Sequence, residues 1–99
     1  MGIMDWFRGK APSPGIYSGG AGDSADTAIV ISVTNSMAGI PAEYAFVQQQ
    51  CGQQDVDWTL NSQMQTSQDG KKFDVLTVTL KDGGSRAFWF DITAFYGRF

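Results

Sequence analysis

The chain contains no histidine. That absence alone removes the Ser-His-Asp triad, the Cys-His pair and every imidazole metal site. Cysteine is almost missing too. Cys51 stands alone, which excludes an intrachain disulfide and a zinc site built from cysteines. No apolar run reaches the roughly 18 residues that a membrane-crossing helix requires. Residues 11–70 hold no lysine or arginine at all. No segment of the chain is a dense basic patch, so nucleic-acid binding is not expected, because neutralising phosphates supplies most of that affinity.

What is present suits one small globular domain. The 99 residues are 42% hydrophobic and 17% charged, and include 7 Phe, 3 Trp and 3 Tyr. The net charge of −3 is unevenly spread. Asp23, Asp26, Glu43, Asp55, Asp57 and Asp69 make residues 11–70 wholly acidic. Lys71, Lys72, Lys81, Arg86 and Arg98 outweigh three aspartates in residues 71–99. Such a dipolar layout suits oriented association.

Residues 1–27 read as a flexible N-terminal segment and linker, and residues 28–99 as a single α+β domain. The first ten residues, MGIMDWFRGK, carry Trp6 and Phe7 beside Arg8 and Lys10, with no secretory apolar core and an acid at position 5. Residues 11–27 are rich in Gly, Pro and Ser, as linkers are. These features point to a cytoplasmic protein of the small bacterial type.

Ordered structure is expected from Ala28. The run Ala28 to Val33 is apolar and β-branched, which predicts a strand at an edge of the sheet. A helix is expected from about Ile40 to Cys51. Pro41 would sit at its first position, Glu43 in its first turn near the dipole's positive end, and Ile40, Tyr44, Val47 and Cys51 on its apolar face. A start at Ser36 is the alternative, opposed by Gly39. From Val56 to Gln65 apolar and polar residues alternate, with Trp58, Leu60 and Met64 on one face. Asp69-Gly70 and Asp82-Gly83 are hairpin signals on either side of the strand Phe73–Leu80. That strand carries apolar residues on both faces, so either both are buried or a bulge near Asp74 shifts the register. Ser85 to Ile92 is the last strand, and Thr93 to Phe99 a single turn. The result is a two-layer sandwich of order β-α-β-β-β, with a three-stranded antiparallel meander packed on one helix.

Candidate chemistry is sparse. Asp55 and Asp57 could meet a hard cation, but lack an EF-hand pattern. Cys51 falls at a helix C-terminus, where the dipole disfavours a thiolate. Asp91 stands among apolar residues without a partner acid or nucleophile. No glycine pattern cradles phosphate, and no cofactor or metal is expected. The aromatics carry the clearest signal. Trp89, Phe95, Tyr96 and Phe99 are read as a surface for a protein partner or a second copy. The alternative is a small-molecule pocket between helix and sheet, lined by Tyr44, Trp58 and Phe90 with Asp57 or Asp91 as polar anchor. A third reading has residues 1–10 touching a membrane surface.

Overall fold

A computed structural model describes residues 14–99. Five strands and one helix follow in the order β1 (Tyr17–Gly19), β2 (Ile29–Ile31), α1 (Ser36–Cys51), β3 (Trp58–Gln68), β4 (Lys71–Leu80) and β5 (Ser85–Asp91). The sheet runs β1-β2-β5-β4-β3. Strands β3, β4 and β5 form the expected antiparallel meander. β2 pairs parallel to β5 through Ile29–Phe90 and Val30–Asp91. The α+β sandwich expected from the sequence is the fold adopted. Among the described residues, no helix is long and apolar enough to cross a membrane.

The strand read at an edge lies inside the sheet. β1 pairs with its outer side, Tyr17 opposite Ile31 and Gly19 opposite Ile29. β1 comes from the segment read as linker. The Gly-rich stretch between β1 and β2 is the loop of their hairpin. Gly22 has φ +89°, and a β-carbon there would meet Ile29 Cδ1 at 2.5 Å, so only glycine fits.

The helix starts at Ser36, one turn earlier than Ile40. Asn35 caps it, its side chain accepting from the Ala38 amide at 3.0 Å. The Ser36 amide donates to the Arg98 carbonyl at 2.7 Å, so the C-terminal turn satisfies another orphan group of the first helical turn. Pro41 is therefore interior rather than first, and removes the bond its amide would donate to Met37. The buried residues of the helix are Gly39, Ala42, Glu43 and Val47; of the expected apolar face Val47 is in the core, Tyr44 and Cys51 pack against its border, and Ile40 is not part of it. Ile40 is exposed, and Tyr44 and Cys51 are half-buried. Glu43 lies well past the first turn and faces the sheet.

The helix covers Ile29, Ile31, Leu76, Val78, Phe88 and Phe90, all buried. Phe46 fills the space between the layers. Its ring meets Tyr17, Phe88 and Phe90 edge-on, with centroids 5.2, 6.3 and 5.9 Å away. Such pairs each add about 0.5–1.5 kcal/mol beyond area burial. The opposite sheet face carries Phe73 and Val75, both buried, and the half-buried Trp89.

Both faces of β4 are buried, from Phe73 through Leu76. The irregularity lies in β3, between Leu60 and Ser62. It turns Met64 to the face away from Trp58 and Leu60, which corrects the even alternation expected for that strand.

Candidate functional site

The last strand ends at Asp91, and the chain then turns back across the helix N-terminus. The Phe95 and Tyr96 amides donate to the Ile92 carbonyl at 3.0 and 2.9 Å, and the Arg98 amide to the Phe95 carbonyl at 3.0 Å. Thr93 fixes the corner. Its hydroxyl donates to Asp91 Oδ1 at 2.6 Å and accepts from the Lys72 amide at 3.0 Å. The turn drops Phe95 against Gly39, where the ring is buried. Tyr96 and Phe99 stay outside, 45% and 96% exposed.

Between this turn, α1 and the ends of β3 and β4 lies an open groove of about 330 Å³. Ile40, Ile92, Phe95, Tyr96 and Phe99 give it apolar walls. Two acids belong to its lining, Glu43 from the helix and Asp74 from β4, both buried. The Gln63 amide nitrogen donates to Asp74 Oδ2 at 3.0 Å, and the Tyr44 hydroxyl to Gln63 Oε1 at 3.3 Å. Glu43 Oε1 and Oε2 and Asp74 Oδ1 are buried with no hydrogen-bond partner among the described residues. Burial, with a smaller contribution from Asp74 beside it, pushes the Glu43 carboxyl up to about 10. At neutral pH the Glu43 carboxyl therefore keeps its proton. Burial also raises the Tyr44 hydroxyl, with smaller contributions from both acids.

The four aromatics read as one surface fall in three environments. Tyr96 and Phe99 border the groove, and Phe95 is a core ring that forms one of its walls. Trp89 is on the other side of the sheet, half-buried, edge-on to Phe73 at 5.8 Å. Its place follows from strand alternation, since Phe88 and Phe90 face the helix.

The five residues of the alternative pocket do not line one cavity. Trp58 and Phe90 are buried in a filled core. The Trp58 indole N–H donates to the Gly52 carbonyl at 2.8 Å. Asp57 Oδ2 accepts from the Gln53 amide at 2.8 Å, closing the loop after the helix. Asp91 accepts from Thr93, on the face opposite Phe90. Tyr44 alone reaches the polar network beside the groove. The membrane reading concerned residues 1–10, which lie outside the described residues.

Cys51 has a cationic neighbour that sequence proximity did not show. Arg86 lowers the thiol, but burial raises it more, and the net direction is up. Among the described residues, no three Cys, Asp or Glu side chains gather in a way that could hold a metal ion.

The acid pair was the feature missed in the sequence. Two signals pointed to it. Glu43 is the sole charged residue of Ser36–Cys51, and Asp74 stands between the apolar Phe73 and Val75 of β4. Compared with family models, curated proteins and solved structures, the chain matches none.

Proposed function

We propose that this chain is a non-catalytic binding module of the cytoplasm that receives apolar side chains of a protein partner in the groove beside its C-terminal turn. One observation carries the reading. Ile40, Tyr96 and Phe99, three of its exposed large hydrophobics, border the same groove. Exposed apolar side chains scattered singly need no explanation, whereas rings gathered on a concave site mark recognition. The acid pair beneath gives the groove a polar floor that favours a hydrogen-bond donor from the partner.

The test is affinity capture from the native cell with the intact chain, Tyr96→Ala, Phe99→Ala and, as comparison on the other sheet face, Trp89→Ala. The reading expects a protein held by the intact chain and by the Trp89 variant but lost with the two groove variants. Equal recovery with all four chains would sink it.

The groove volume also falls in the range of small-ligand sites, about 300–1,000 Å³. A small-molecule role is thus the second reading, moved from the filled helix–sheet core to this groove. Displacement of a captured protein partner by a bound metabolite would join the two readings. A ligand co-purifying with no protein partner would favour the second.

A further inference from the structure

β3 forms one edge of the sheet, and that edge is long and undefended. At its start the loop before it folds over. Gln54 bridges to Trp58, and the Asp55 amide donates to the Trp58 carbonyl at 2.6 Å. Beyond Trp58, no described residue pairs with the outer backbone of the strand. Trp58–Gln68 holds no Lys, Arg, Asp, Glu, Pro or Gly. Sheet edges are ordinarily blunted by charge, by proline or by brevity, because a bare edge templates pairing with another chain. The Leu60/Ser62 irregularity interrupts one end and leaves Ser62–Gln68 regular, with most of its side chains exposed.

The hairpin turn tells which backbone groups are free. Asp69 and Gly70 have φ +52° and +80°, the signature of a two-residue turn in which the flanking pair, Gln68 and Lys71, exchange both hydrogen bonds. Alternation then aims the backbone groups of Gln68, Thr66, Met64 and Ser62 at β4, and those of Ser67, Gln65 and Gln63 outward.

We propose that two copies of the chain pair antiparallel along Ser62–Gln68 and merge their sheets into one continuous sheet. A second copy is the occupant that this edge fits. An identical uncharged strand meets no like charge, and rows of Gln, Ser and Thr can both donate to and accept from their own kind. Antiparallel self-pairing is isologous, so it closes as a dimer. The opposite edge cannot extend the assembly, because β1 has three residues and a 3-10 turn with Pro14 immediately before it. The inference does not rest on the function proposed for the groove, although Gln65 is common to the edge and the groove lining; Met64 is not part of that lining.

Sedimentation velocity over a range of concentrations tests it with two variants. Gln65→Pro removes an outward amide and spares the bonds to β4. Met64→Lys keeps every backbone group, and places a cation on each copy of an already exposed position. The expected result is a dimer for the native chain, with dimerisation weakened at least about tenfold in both variants and melting temperature little changed. If Gln65→Pro fails to fold, Met64→Lys decides alone. A native chain that stays monomeric throughout overturns the inference. So does a dimer that survives Met64→Lys, or one that Phe99→Ala dissociates while Met64→Lys does not.

Discussion

Gly39 lies so close to Phe95 that a β-carbon on it would come within 2.5 Å of the ring carbons Cε2 and Cζ. Helix and C-terminal turn therefore touch backbone to ring. That contact seats the turn, and the seated turn makes the groove.

Gly39→Ala should destabilise the fold although alanine is the better helix former. Propensity offers about 1 kcal/mol, whereas overpacking a filled site costs about 1–3 kcal/mol. The ring is buried and cannot swing away freely. A lower denaturation midpoint together with shifted Phe95 and Tyr96 resonances is expected. Unchanged resonances would mean that the turn is not seated on Gly39.

Phe95→Ala and Phe99→Ala should differ sharply. The first empties a buried site and costs about 3–5 kcal/mol. The second removes a ring that is 96% exposed and should leave stability within about 0.5 kcal/mol. Urea unfolding of both variants separates the wall of the groove from its contact surface.

The acid pair makes stability depend on pH. Glu43 keeps its proton in the fold up to about 10, against an ordinary value of 4.5. The folded chain thus binds more protons than the unfolded chain across that window. The contribution is full below the ordinary value and is lost as pH rises, by at most about 1.4 kcal/mol per pH unit. Glu43→Gln, which cannot ionise, should flatten the decline between about pH 5 and pH 9. Unfolding midpoints of the two chains across that range are the measurement, and parallel curves would contradict the retained proton.

Cys51 should react slowly. Burial holds its thiol above the usual value despite Arg86, so little thiolate exists near neutral pH. Iodoacetamide is expected to label it more slowly than a cysteine in a short peptide, with the rate restored on unfolding. Equal rates before and after unfolding would refute the shielding.

Much of the fold could be read from residue patterns. Asp69-Gly70 and Asp82-Gly83 announced two hairpins because Asp69, Gly70 and Gly83 take the left-handed angles that few other residue types accept. The face of α1 was misread because Ile40 and Tyr44 outweigh Gly39 and Glu43 on any hydrophobicity scale. The structure buries the latter pair, since Phe95 needs a residue without a side chain and Glu43 lies beside Asp74 of β4. Both partners lie far along the chain, beyond the reach of local periodicity. The three-residue β1 was equally hidden, because Tyr17–Gly19 is too short to alternate and sits among glycines. The groove depends on the same distant contacts, so its acids could not be joined from sequence alone, though Tyr96 and Phe99 could.

The parallel contact of β2 with β5 bears on how the chain reaches this fold. Ile29 meets Phe90 only after α1, β3 and β4 have been made. The three-stranded meander is local and can assemble first, while closing the β2–β5 pair must wait and carries the larger loop entropy. During synthesis, Ile29 and Ile31 leave the ribosome long before the strand that shelters them. In that interval their apolar side chains lack the cover that the folded sheet gives them, and the completion of β5 is the event that ends it.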